Sequence, residues 1–396
     1  MIPMAQGCVV LILASVVRVF SAELGADLFR HPVTESQGNA SHESIMGGGP
    51  RSLIQAVTSI KQTSRCEARA DSVTDGEHML VFGGLPRRYG ILKPIDYIRG
   101  QPRDVLLLFH GFGEAPNETL KWFSGLRYVE DGPILVAPEG VSMKIGSHIT
   151  LPAAFNGVGS SLGIGPKGEI CASKPYALIY PSHQKTCGRS HHQCAWTSCA
   201  DDVGFVLAVL NIVEASMCAQ RRRVFVAGFS TGGQFVYDLA TDPRSAGRLD
   251  AVATLQASPH RGFLRHAPPG AQPRFLGIWG GMNSSWQDYV IPPFTTPGLD
   301  PDTSMGSDST GHNWYYSTAH NTTAFWGHHV DCQGASGLQQ NASTNFLAAQ
   351  ALNRNISCLA MCNGRVVQCL RGDSPGATQH FFAHFYPSLV WNFFVK

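Results

Sequence analysis

A serine between glycines, placed where an apolar run meets a helical pattern, has the makings of a nucleophile. The stretch VFVAGFSTGGQF, Val224 to Phe235, offers one in Ser230. An apolar, β-branched run precedes it, and the pattern of a helix follows. A sharp strand-to-helix turn of this kind lifts a serine Oγ above the edge of a sheet. Gly228 and Gly232 let the two backbones approach at that turn. Thr231 falls at the helix N-terminus, where its backbone N–H is free to hold an oxyanion. The bare Gly-x-Ser-x-Gly is a weak signal in a chain with 42 glycines. The strand before it and the helix after it give it weight.

A nucleophilic serine needs a second oxyanion donor, a base and a group that orients the base. HGFGE, His110 to Glu114, follows the apolar run VLLLF and is placed to supply the donor. The N–H of Phe112 or Gly113 is expected there, with His110 a buried, satisfied histidine that supports the loop. In the hydrolase chain order the acid follows the serine and the histidine comes last. After RFLGIWGG the nearest carboxylate is Asp288, in DYVIPP. Asn283 is closer to the run but carries no charge to stabilise an imidazolium; Asp302 and Asp308 are the alternatives. GDSPGATQHFFAHFYP offers His380 and His384. His380 lies in a glycine-containing loop suited to a mobile base, and His384 is expected to start the last helix. Trp196, Trp279 and Trp286 are candidates to line an acyl or sugar site, although aromatic side chains more commonly belong to a core.

The elements that must hold these residues follow from periodicity. Short apolar runs bounded by Gly or Pro read as buried strands: DVLLLFHG, PILVAPEG, RRVFVAG, AVATLQA, RFLGIWGG and RVVQCLRG. DDVGFVLAVLNIVEASMC reads as a helix with Asp at its start, and GGQFVYDLAT and HFYPSLVWNFF as further helices. NWYYSTAHNTTAFWGHH, Asn313 to His329, is expected to be helical throughout. Residues 141–200 are rich in Gly, Ser and Cys without periodicity, and are expected to form a long loop that walls or covers a site. Strands alternating with helices imply a mostly parallel sheet with helices on both faces. The expected domain runs over residues 76–396.

Several stretches, in order, carry a family resemblance: RRYGILKP, LLLFHGFGE, APEG, AWTSCADDVGFV, RRVFVAGFSTGGQF, DYVIPP, NWYYSTAHNTTAFW and LVWNFF. From Arg87 to Phe394 the chain resembles the secreted esterases that include poly(3-hydroxybutyrate) depolymerases, feruloyl esterases and acetyl xylan esterases. The resemblance implies an α/β-hydrolase fold, with Ser230 as nucleophile, Asp288 as acid and His380 as base. It also implies carboxylic ester hydrolysis, with feruloyl or acetyl esters on plant cell-wall polysaccharide as the leading substrates. Hydroxyalkanoate polyester is the close alternative, and a catalytically inactive carbohydrate-binding protein is the rival from a different class. Thr231 stands where such esterases commonly carry Asn, and the last loop lacks their His-x-Trp-Pro pattern.

Composition bounds the partners. The 396 residues carry a net charge of +2 with no basic tract, so no nucleic-acid partner is expected. GCVVLILASVV, Gly7 to Val17, is followed by small residues near Ser21 and Ala22, as in a secretory signal over residues 1–22. Residues 23–75 are polar and read as a linker or pro-segment. No membrane span is expected once the signal is cleaved. Of 11 cysteines, one lies in the presumed signal and leaves an even ten, as a disulfide framework requires. Sequons begin at Asn39, Asn117, Asn283, Asn321, Asn341 and Asn355, which favours an extracellular protein. The cysteines lack paired zinc-type spacing and the adjacent histidine pairs make poor chelators, so neither metal nor cofactor is expected.

Overall fold

A computed structural model describes residues 73–145, 149–172, 192–217, 223–280, 296, 298–307, 313–330, 356–371 and 382–396. The chain divides into two units, Met1–Ile60 and Lys61–Lys396, and all the described residues belong to the second.

Nine strands form the central sheet. In chain order they begin with β1 (Gly76–Phe82), β2 (Leu85–Leu92), β3 (Val105–Phe109) and β4 (Ile134–Pro138). Two hairpins follow, β5 (Val141–Ile145) with β6 (Ile149–Ala154) and the short β7 (Ile164–Gly165) with β8 (Gly168–Glu169). The sheet resumes with β9 (Val224–Phe229), β10 (Ala251–Leu255) and β11 (Arg274–Trp279). A third hairpin joins β12 (Thr303–Ser307) to β13 (Asn313–Ser317), and β14 (Ile356–Met361) and β15 (Val366–Arg371) complete the sheet. Its order is β1-β2-β4-β3-β9-β10-β11-β15-β14. The run from β4 to β15 is parallel; β1, β2 and β14 are antiparallel to their neighbours.

Strands buried on both sides divide their side chains by alternation. Val105, Leu107 and Phe109 of β3 join one core, and Leu106 and Leu108 join the other. β9 does the same with Val224 and Val226 against Phe225, Ala227 and Phe229. Helices α2 (Asp202–Ser216), α3 (Thr231–Thr241) and α4 (Ala319–His329) bury their apolar residues in the first core. Helices α1 (Pro116–Phe123) and α5 (Tyr386–Val395) do so in the second. A mostly parallel sheet covered on both faces, with this crossed order at β4-β3-β9, is the α/β-hydrolase fold expected from the sequence.

One buried ion pair ties the antiparallel edge to a helix. Arg87 of β2 bonds Asp202 at 2.5 Å, with side-chain exposures of 3% and 0%. Arg87 also donates to Glu139 O and lies over the Phe205 ring, while the second oxygen of Asp202 accepts Asn156 N–H. Burial raises the Asp202 carboxyl above its ordinary range, against the lowering effect of Arg87.

Three local expectations are corrected. Asn313–Ser317 is a strand and not the first turns of a helix. Its Trp and Tyr residues favour a pleated surface, with Trp314 and Tyr316 turned inward, and the helix begins only after Thr318, whose hydroxyl caps Asn321 N–H. Residues 141–200 contain two hairpins rather than one long irregular loop. The last helix starts at Tyr386, so His384 precedes it. The six described cysteines are all disulfide-bonded, with Cys171 joined to Cys194 and Cys358 to Cys369 across β14 and β15. No helix among the described residues is long and apolar enough to cross a membrane.

Candidate active site

Ser230 sits between the end of β9 and the start of α3 with φ 55° and ψ −120°. A non-glycine residue with positive φ is strained, and it persists only where its surroundings force it. Here Ser230 N–H donates to Leu255 O at 2.9 Å, and Ser230 O accepts Gln234 N–H at 3.0 Å. The turn is therefore fixed to the neighbouring strand and to its own helix. Glycines make its tightness possible. A Cβ on Gly228 would collide with the Gly232 carbonyl; one on Gly232 would stand 2.5 Å from His110 O and also overlap Phe109 O. The start of α3 thus rests directly on the end of β3. Ser230 stands on a strained strand-to-helix elbow.

At that elbow Thr231 is the first residue of α3, so its N–H has no acceptor within the helix. Its Oγ1 is buried and unpaired. Ser230 is half-buried, and its Oγ bonds to no described residue.

The loop after β3 is built around His110. The ring is wholly buried, its Nε2 accepts Gly140 N–H at 2.9 Å, and its Nδ1 donates to Gly111 O at 2.7 Å. Burial pushes its pKa down to about 4, so it is a neutral imidazole with both nitrogens engaged. This tautomer follows from the acceptor role at Nε2. All peptide bonds of the described chain are trans. In a trans peptide the C=O and the next N–H point in opposite directions. Pinning Gly111 O to His110 therefore aims Phe112 N–H away from the buried ring. That amide bonds no described residue. Gly113 N–H, the other candidate donor, is bonded to Ala153 O at 2.9 Å.

Around Phe112 lies an aromatic wall. Its ring meets Trp196 edge-on at 6.0 Å, and Trp196 in turn meets Trp314 and donates from Nε1 to His260. His260 stacks on Tyr316 at 4.9 Å and bonds Tyr315 O through Nδ1. Burial pushes its pKa down to about 4 as well. The bond between Cys171 and Cys194 and a bridge from Cys171 to Trp314 hold this wall together. Trp196 is half-buried beside the loop. Trp279 is fully buried in the core, bonded to Ser258 Oγ, with its ring over Gly277.

Asp288, His380 and Trp286 lie outside the described residues, as do Asn39, Asn283, Asn341, Asn355 and Asp308. Asp302 is ion-paired with Lys167. His384 is exposed and bonds no described residue. Phe382 stacks on Trp122 and packs edge-on against Phe229, the residue before Ser230. Of the described sequon asparagines, Asn117 is exposed on α1, whereas Asn321 is half-buried on α4 above a buried Thr323. Glu169, His192 and Cys194 come close together, but the Cys194 sulfur is already in a disulfide and leaves two ligands. Sequence reasoning missed His260, which no motif marks, and gave no role to Glu114 although it closes HGFGE.

No family model matches the chain, and no curated protein matches it. Among solved structures the chain is similar to an open-form lipase, at 16% identity over 45% of this chain and 43% of the lipase, with a TM-score of 0.26. It is similar to a poly(3-hydroxybutyrate) depolymerase from Bordetella parapertussis, at 15% identity over 83% and 91% of the two chains, TM-score 0.35. It is also similar to native pOPH, at 13% identity over 64% and 75%, TM-score 0.36. The chain spans less than half the length of the lipase. The fold assignment rests on the strand order and on the elbow themselves.

Proposed function

We propose that the protein is a secreted serine esterase that cleaves carboxylic esters through an acyl-enzyme. The observation that carries this reading is Ser230 held at φ 55° between two glycines whose Cβ positions are blocked by neighbouring backbone. In this reading His380 takes the Ser230 proton as Oγ attacks the ester carbonyl. The N–H groups of Thr231 and Phe112 hold the oxyanion. The alkoxide leaves with the proton from His380; water then attacks the acyl-serine and gives a proton to His380, which returns it to Ser230 Oγ as the acid is released. Asp288 orients the imidazole. Support for His380 comes from Phe382, two residues later, whose ring packs on Phe229 beside the nucleophile. Asp288 rests on chain order and on the family resemblance.

The substrates we propose are feruloyl or acetyl esters on polysaccharide, handled without a cofactor. Residues 1–22 are the proposed signal, 23–75 a linker, and 76–396 the catalytic domain. Complete pairing of the described cysteines fits export. A panel of feruloyl, acetyl and short hydroxyacyl esters tests the substrate ranking. Preference for a hydroxyacyl oligomer would move the assignment to polyester, and turnover of none would remove the ranking. Ser230→Ala should abolish turnover while the protein remains folded.

A further inference from the structure

Glu114 is a partly buried carboxylate that the proposed reaction leaves without a role. Its Oε2 accepts Gly111 N–H at 2.6 Å. A Cβ on Gly111 would stand 3.0 Å from that oxygen and 3.2 Å from the Phe229 ring. The carboxylate and the Phe229 ring, at the end of the strand that leads to Ser230, thus both crowd the same point at Gly111. Glu114 N–H closes a turn onto Gly111 O at 3.3 Å, and the same carbonyl accepts from His110 Nδ1.

Gly111 is thus held at both of its peptide groups. His110 fixes its carbonyl, and Glu114 fixes its N–H. Glycine has little intrinsic preference among backbone conformations. With the carboxylate bond removed, Gly111 O keeps its bonds from His110 Nδ1 and Glu114 N–H, but the peptide between His110 and Gly111 loses its restraint and φ of Gly111 can change. Such a change swings Phe112 N–H out of line with the reacting oxygen. We propose that Glu114 is a positioning residue, whose carboxylate holds Gly111 N–H and so keeps Phe112 N–H directed at the reacting oxygen. This inference rests on the esterase reading above.

Burial raises the Glu114 carboxyl to about 7, with Glu118 adding like-charge repulsion and the Gly111 bond opposing both. The side chain is therefore kept in place by its hydrogen bond at a cost in desolvation, as expected of a group retained for geometry.

The test is steady-state kinetics of the full chain on p-nitrophenyl butyrate, with Glu114→Ala, Glu114→Gln and Glu114→Asp. A donor out of line weakens only the transition state, so kcat should fall with KM within about two-fold. Glu114→Ala should lose about 10- to 100-fold in kcat, short of the full loss of an oxyanion donor. Glu114→Gln keeps an acceptor of the same length and should recover most of the rate. Glu114→Asp is one methylene too short and should be slower than Glu114→Gln. If Glu114→Ala does not fold, the Gln and Asp pair still decides. Asp equal to or faster than Gln, or Ala at the wild-type rate, would overturn the proposal. A wild-type protein that neither hydrolyses the ester nor labels with a fluorophosphonate would instead overturn the esterase reading, and this inference with it.

Discussion

Gly232→Ala tests the elbow at its tightest contact. The new Cβ would stand 2.5 Å from His110 O and 2.6 Å from the Phe109 carbonyl carbon. Both are backbone atoms in or beside a central strand, and neither can swing aside. Ordinary contact lies near 3.5 Å, so the start of α3 must withdraw by roughly 1 Å. Ser230 and Thr231 precede this residue directly and would move with it. A displacement of about 1 Å in a reacting group costs on the order of 100-fold in rate. The overpacking itself should cost about 1–3 kcal/mol of stability. The matched control is Gly247→Ala, where nothing stands within 4 Å of the added methyl. The assay is kcat on p-nitrophenyl butyrate, with thermal melting to establish that both variants fold. The expected result is a large kcat loss for Gly232→Ala and none for Gly247→Ala. A folded Gly232→Ala variant within a few-fold of the wild-type kcat would refute the argument that this close approach sets the site.

Two further predictions concern buried polar groups. Arg87→Met leaves Asp202 buried without its partner and should destabilise by about 3–5 kcal/mol in urea denaturation, with much of this recovered on adding Asp202→Leu. A single variant as stable as wild type would contradict it. His260 has a native pKa of about 4 against an ordinary 6.5, so the folded state binds fewer protons in between, and the stability it contributes is complete above 6.5 and lost as pH falls toward 4. Glu114, raised to about 7, and Asp238, raised to about 6, act in the opposite direction, so the informative quantity is a difference between proteins. Between pH 7.5 and 5, His260→Gln should lose less stability than wild type by roughly 2 kcal/mol; identical slopes in chemical denaturation would refute the buried neutral imidazole.

The sheet was legible because its central strands are buried on both faces. VLLLF, VFVAGF and RFLGIW are runs that few other environments would accept. The elbow was legible because its glycines are demanded by backbone contact. Hairpins and edges were not. Asn313–Ser317 runs into α4 with only Thr318 between them, and its alternation is too short to separate from a helical pattern. β1 ends in the apolar run MLVF but alternates exposed residues with half-buried ones, so it does not read as a strand buried on both faces. His260 gains its environment from segments far away in sequence, Trp196 and Tyr315, whereas the Glu114 bond to Gly111 is local but marked by no known motif. Local spacing carries no trace of the His260 contacts. The proposal of Phe112 over Gly113 as donor likewise rests on one long-range acceptor, Ala153 O.

Fluorophosphonate labelling of the full-length protein, followed by peptide mapping, tests the central claim most directly. The account predicts a covalent adduct on Ser230 that is absent from Ser230→Ala. Folded protein without a label, or with the label on another serine, would contradict it.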